Sequence, residues 1–318
     1  MNDTTQMVAM IVRSTTHPLA TGVPRWYSPA VPDLASLAAD VEKDFLDRHP
    51  DYENVLSGAA DATRERLRTA IRHETPFPHV WVEGLLPERV YQLVLDAWPP
   101  DNYFWSNNPN RMDLVTQPAG IRPSDARAEL WDGLPASLRR VWDVFVLDIN
   151  RGVVGPFVQE MFRPEIDARL SLLERTFAEQ GARVDYMRPP FHPKMNVGRL
   201  MMRSSGHTLH PHVDALAYLV TALYYFPQSD TDVDTLGTTL YRVNEELDTA
   251  DLLRREKTEY FHKAGIAAEP AVQIPFVGNS LLAFANTNRS AHGVHVPTTG
   301  WRRSFQSHLS IKRDTDHL

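Results

Sequence analysis

Apolar positions change their spacing near the middle of the chain. Asp33 is placed to cap a helix in which Leu34, Leu37, Val41 and Phe45 recur at helical spacing. A second helix is predicted over about Glu53 to Arg72, rich in Ala, Arg and Glu. Thr75 to Val82 then reads as a short strand behind a proline break, and Pro87 sits in the first turn of another predicted helix. Residues 100–135 are loop-like, with Asn102, Asn107, Asn108, Pro109 and Asn110 close together, and helices are expected again over 136–149 and 165–180. Ahead of all these, residues 1–32 carry Pro18, Pro24, Pro29 and Pro32 with little periodicity, which suits an extended arm.

After Gly181 the texture becomes β-like. Short runs at 194–203, 216–226, 237–243, 271–276, 280–285 and 301–311 are separated by Gly, Pro, Asn and Asp. Strands of this length and spacing predict a jelly-roll or barrel-like double sheet, so the expected class is mainly β with helical additions (α+β). Glu245 to Ala264 interrupts them as a polar, helical stretch, read as an insertion that would serve as a lid. The expected organisation is an N-terminal arm with helices over 1–75, then a main domain over 76–318 with its jelly-roll core at about 190–312.

Composition narrows the chemistry. The 318 residues are 42% hydrophobic and 23% charged, an ordinary globular balance able to bury a substantial core. There are no cysteines, which excludes disulfides, thiolate zinc sites, iron–sulfur clusters and cysteine nucleophiles, so any metal must sit on His, Asp or Glu. A formal net charge of -7 argues against a nucleic-acid partner. The apolar run Met7 to Val12 is too short for a secretion signal and no basic segment precedes it. Nor does any stretch approach the ~20 apolar residues of a membrane span. A cytoplasmic protein with a small-molecule substrate and no membrane partner is therefore expected; nothing here fixes an oligomeric state.

Candidate metal ligands lie in Leu209-His210-Pro211-His212-Val213-Asp214. Residues i and i+2 of a strand project to one face, so His212 and Asp214 can offer an imidazole and a carboxylate to the same ion. A third ligand must come from elsewhere, and His292 and His295 are the candidates. Two His and one carboxylate on one face leave open positions, the arrangement associated with non-haem Fe(II) oxygenases. His210 with His212 forms a His-x-His pair that would suit zinc in another fold.

Four elements together resemble the Fe(II)/2-oxoglutarate-dependent dioxygenases, in particular their prolyl-hydroxylase-like branch. These are the His-x-Asp pair, the distal His292-Gly293-Val294 string, Arg302 ten residues beyond it with Ser304 two later, and Gly237-Thr238-Thr239-Leu240. The last resembles the family's Gly-Gly-x-Leu strand start, with Thr238 standing where the second Gly would be. The resemblance covers roughly 195–311 and implies a double-stranded β-helix of cupin-like type. It also implies an iron triad of His212, Asp214 and His292, with His295 the weaker rival, and 2-oxoglutarate and O2 as co-substrates.

The C5 carboxylate of 2-oxoglutarate would then need a buried cation. Arg makes bidentate, charge-assisted bonds that Lys cannot copy. Strand alternation puts Arg302, Ser304, Gln306 and His308 on one polar face and Trp301, Phe305, Leu309 and Ile311 on the other, which makes Arg302 the inward arginine and Arg303 a surface residue. Ser304 would be its neighbour, and Tyr225, in Val220 to Phe226, matches the position whose hydroxyl reaches that carboxylate in relatives. Arg203 and Met202, and the loop residues Trp105, Asn107 and Arg111, are further contact candidates.

The implied activity is hydroxylation of an unactivated C–H of a small metabolite, amino acid or carrier-tethered intermediate, in biosynthesis. With Asp214 present, halogenation is not expected. Desaturation, epoxidation and cyclisation share these residues. Two other classes fit part of the pattern: a jelly roll without catalysis that binds or scaffolds, and a cupin-type iron enzyme that would need no deep arginine.

Overall fold

The computed structural model describes residues 34–108, 110–119, 128–180, 190–228, 236–248, 259–296 and 301–311. The chain opens with α1 (Leu34–Arg48), α2 (Tyr52–Leu56) and α3 (Ala59–Leu67), then β1 (Arg72–His73), β2 (His79–Glu83) and α4 (Glu88–Asp96). The single helix expected over 53–72 is broken, because Gly58 takes a left-handed φ of 81° between α2 and α3 and the chain turns there. Pro87 precedes α4 rather than entering it, at φ −52° and ψ 140°.

A correction falls on 100–135. That stretch carries the hairpin β3 (Trp105–Asn108) and β4 (Arg111–Val115), then α5 (Ala128–Asp132). Its Asn-rich composition reads as loop. What makes it a strand is non-local: β4 pairs antiparallel with β6 from Arg111 opposite Arg203 to Val115 opposite Arg199. Helix α6 (Ala136–Asp143) runs into a wider π-helical segment at Val144–Val154, followed by α7 (Gly155–Met161) and α8 (Arg163–Gln180).

The β region follows with β5 (Lys194–Met195), β6 (Arg199–Ser204), β7 (Thr208–Val213), β8 (Tyr218–Tyr225), β9 (Thr238–Val243), β10 (Glu259–Tyr260), β11 (Ala268–Ile274), β12 (Ser280–Ala285), β13 (His292–His295) and β14 (Trp301–Ser310). They form two antiparallel sheets. The larger runs β1-β2-β12-β8-β14-β6-β4-β3, with β5 on β14, and the smaller runs β10-β7-β13-β9-β11. This is the jelly-roll double sheet with helical additions that the sequence predicts. Within the expected helical insertion 245–264, Glu259–Tyr260 is instead a strand paired with Val213–His212, and Phe261–Ala264 is a single 3-10 turn. The centre of that insertion, the proline-rich arm and Asp33 lie outside the described residues.

The alternation read from β14 holds. Phe305 and Leu309 leave the outer face of the large sheet and pack with Trp142, Phe145, Tyr224 and Phe226, in one apolar cluster that runs out through α4 to Phe45 of α1. The inner face packs a second cluster against the small sheet, with Phe77, Met201, Leu223, Leu240, Phe276, Leu282 and Phe284. Where this inner core stops, a cavity of about 570 Å³ opens between the sheets. Among the described residues no helix is long and apolar enough to cross a membrane.

Candidate metal centre and anion pocket

His212 on β7 and His292 on β13 are direct cross-strand partners, and their rings lie 4.2 Å apart. Asp214 follows the end of β7. Its Oδ1 is 3.6 Å from His212 Nε2 and its Oδ2 is 3.6 Å from His292 Nε2, and all three residues are buried. These distances exceed hydrogen bonds and suit donor atoms facing a common point; one donor atom from each residue lies within 4.8 Å of the others.

The backbone orients both imidazoles. His212 Nδ1 donates to the His210 carbonyl at 2.9 Å and His292 Nδ1 to the Ser290 carbonyl at 3.0 Å, which leaves each Nε2 lone pair directed at the cluster. Burial pushes the His292 imidazole down to about 4, and His212 adds to this, so it is neutral at ordinary pH. Burial alone would raise the Asp214 carboxyl, but His292, His212 and His308 outweigh it and hold the carboxyl well below its ordinary range. Asp214 Oδ2 also accepts from the Thr221 hydroxyl at 2.6 Å, and Thr221 accepts from Asn286 Nδ2 at 2.8 Å.

The two other histidines that the sequence offered lie apart from this cluster. His295 is exposed and its Nδ1 meets the Thr208 hydroxyl at 2.8 Å, because three residues along a strand reverse the face. His210 is also exposed, beside the His262 ring at 5.2 Å, so the His-x-His pair is not brought together on one ion.

Arg302 is buried in the same cavity. Its Nε donates to the Leu236 carbonyl at 2.6 Å, Nη1 to the Ser304 hydroxyl at 3.3 Å and Nη2 to the Thr238 hydroxyl at 3.3 Å, while the guanidinium lies over the Tyr225 and Phe276 rings at 5.0 and 5.1 Å. Tyr225 shares a 2.6 Å hydrogen bond with Thr238. Arg302, Ser304 and Tyr225 are therefore brought together as the sequence predicts. Among the described residues no carboxylate pairs with this buried cation. Arg303 points the other way, over Trp98 at 5.4 Å.

Several residues of the site escape sequence reading. Thr238, a departure from the two-glycine string, fills the space between Tyr225 and Arg302. Gly237 beside it is required, since a Cβ there would lie 1.6 Å from the Ile274 carbonyl oxygen. Thr221 and Asn286 carry no motif. His308 lay on the predicted polar stripe without a role; its Nε2 is 3.7 Å from Asp214 Oδ2 and its ring stacks on Tyr218 at 3.9 Å. Arg111 and Arg203 line the cavity and share Asp113, whereas Met202 belongs to the outer core. Trp105 lies on β3 and is not among the residues lining the cavity; the side chain of Asn107 is outside the described set.

A double antiparallel sheet with a His-Asp-His cluster and, among the described residues, a buried arginine without a carboxylate partner between its layers is thus the class of molecule at hand. No family model and no curated protein sequence matches the chain. Among solved structures it is similar to a prolyl-4-hydroxylase of Pseudomonas putida, at 12% identity and TM-score 0.37 over 80% of this chain and 99% of the other. It is also similar to a 2OG-Fe(II) oxygenase family oxidoreductase of Burkholderia pseudomallei, at 12% and 0.37 over 81% and 94%. A third is HygX of Streptomyces hygroscopicus, solved with nickel, 2-oxoglutarate and hygromycin B, at 12% and 0.34 over 72% and 82%. Superpositions this loose leave the site to be judged on its own side chains.

Proposed function

We propose that the protein is an Fe(II)/2-oxoglutarate-dependent oxygenase that hydroxylates an unactivated C–H bond of a small molecule. The observation that carries the reading is the pairing, in one cavity, of a cysteine-free two-His, one-carboxylate donor set with a buried arginine lacking a carboxylate partner among the described residues. Either feature alone has other uses. Together they fit a metal and a dicarboxylate that chelates it at one end and needs a cation at the other.

His212, Asp214 and His292 would hold the metal, and Arg302 with Ser304, Thr238 and Tyr225 would hold the distal carboxylate. Bound iron would supply oxidation of the substrate coupled to decarboxylation of 2-oxoglutarate. The chain's own residues do the positioning. The two backbone carbonyls fix the imidazole tautomers, and Thr221 fixes the Asp214 carboxylate. Tyr225 and Phe276 sheathe Arg302 so that its charge meets the ligand in a dry setting, where it is worth more than in water. A cupin-type iron enzyme or an inactive jelly roll would leave this arginine without a task.

The test is anaerobic addition of Fe(II) and 2-oxoglutarate to the full chain. A visible charge-transfer band from the chelate is expected, and fully metallated protein that develops none overturns the proposal.

A further inference from the structure

The inner face of the large sheet carries more positive charge than the proposed co-substrate requires. Arg111 on β4, Arg203 on β6 and Arg302 on β14 are successive cross-strand partners, three guanidines in one row. Like charges set side by side in this way are destabilising unless something offsets them. Asp113 is the carboxylate that does so: its Oδ1 takes Arg203 Nη2 at 2.8 Å and its Oδ2 takes Arg111 Nε at 2.7 Å. Two residues along β6, on the same face, Met201 intervenes. Two further along comes Arg199, half-buried and lining the cavity opposite Gln306.

Arg199 differs from its neighbours. Among the described residues no side-chain hydrogen bond or ion pair engages its guanidinium, whereas Arg111 and Arg203 share Asp113 and Lys263 lies over the Tyr260 ring at 4.6 Å. Among the described residues five cations line the cavity, Arg111, Arg199, Arg203, Arg302 and Lys263, against the lining carboxylate Asp214 and Asp113 behind it. A divalent metal and a doubly charged co-substrate cancel, so a surplus of three positive charges remains. His207 responds to the same field, pushed down to about 4 by burial and by Arg203, Arg111 and Arg302, so its imidazole stays neutral and adds nothing to the sum. All this sits in a chain whose formal net charge is -7. A local positive cavity in an acidic protein draws anions toward it.

We propose that the primary substrate is itself an anion of the carboxylate or phosphate class, anchored by Arg199 with Arg111 and Arg203 behind it. The position suits a reacting group near the metal cluster. Gln306 on β14 lies opposite Arg199, His308 is two residues further along the same face, and His308 Nε2 is 3.7 Å from Asp214 Oδ2. An anionic group on Arg199 therefore leaves the rest of a small substrate beside Asp214 and His308. This inference rests on the oxygenase reading, in which Arg302 is occupied by the co-substrate.

The experiment uses the full chain with Mn(II) and saturating 2-oxoglutarate, and follows thermal unfolding as four probes are added. Inorganic phosphate and benzoate are the anions; benzamide and benzylamine are the neutral and cationic counterparts. One or both anions are expected to raise the midpoint while benzamide and benzylamine do not, and the anion that acts names the substrate's charged group. In Arg199→Gln the apparent affinity for that anion is expected to fall roughly ten- to hundred-fold, as for loss of a charge-assisted hydrogen bond, with Arg199→Lys in between. No anion response, an equal response to benzamide, or an unaltered response in Arg199→Gln overturns the proposal. The Fe(II) chelate band, recorded separately on the same variants, tells failure of the oxygenase reading from failure of this one.

Discussion

Arg302→Met separates a ligand-binding arginine from a structural one, because the two roles predict opposite effects on the empty protein. The side chain makes one short hydrogen bond, to the Leu236 carbonyl at 2.6 Å, and two long ones at 3.3 Å to hydroxyls of Ser304 and Thr238. Thr238 keeps a partner in Tyr225 when the arginine goes. Leaving the Leu236 carbonyl unpaired costs about 1–3 kcal/mol. Against this, a buried cation with no carboxylate among the described residues pays a desolvation penalty of several kcal/mol, which Met relieves at similar length. Without 2-oxoglutarate the variant should therefore match or exceed the parent in stability.

Binding should move the other way. Two charge-assisted bonds to a carboxylate are worth about 1.5–3 kcal/mol each, so affinity falls roughly 10²- to 10⁴-fold. At a co-substrate concentration of about 100 Kd the parent gains about 2.7 kcal/mol; the same concentration gives the variant no more than about 0.4 kcal/mol. For a chain of 318 residues that difference is a shift of roughly 3–4 °C in the midpoint. Thermal unfolding of both proteins, metallated, with and without 2-oxoglutarate, measures it. A variant that unfolds several degrees lower when empty, or that keeps its ligand-induced shift, refutes the reasoning.

Thr221→Val removes the hydroxyl that holds Asp214 Oδ2 while keeping the side-chain shape; metal affinity by Mn(II) titration should fall roughly 10- to 100-fold, and an unchanged affinity would remove Thr221 from the site. Gly237→Ala places a methyl 1.6 Å from the Ile274 carbonyl oxygen and should cost about 3 kcal/mol or more in urea unfolding through loss of the β9–β11 contact. His207 has a folded value near 4 against 6.5 when free, so between those values the unfolded state binds the extra proton. Its contribution to stability is complete above pH 6.5 and is lost as the pH falls toward 4; His207→Asn should flatten the pH dependence of unfolding in that window, and a parallel curve would contradict the assignment.

Local chemistry was legible because strand alternation is local. The period of two put His212 with Asp214, and Arg302 with Ser304, Gln306 and His308, on their faces with no knowledge of neighbours. The β-rich half and the helices α1, α4 and α8 followed from spacing in the same way. What the period cannot carry is register, which depends on pairing between segments far apart in the chain. Only the tertiary structure set His292 directly across from His212, turned His295 to solvent, made strands of Trp105–Asn108 and Arg111–Val115, and slid Thr238 between Tyr225 and Arg302. The row Arg111, Arg203 and Arg302 is of the same kind. Each is an ordinary arginine in the sequence, and they become a field when three strands align them beside the His-Asp-His cluster.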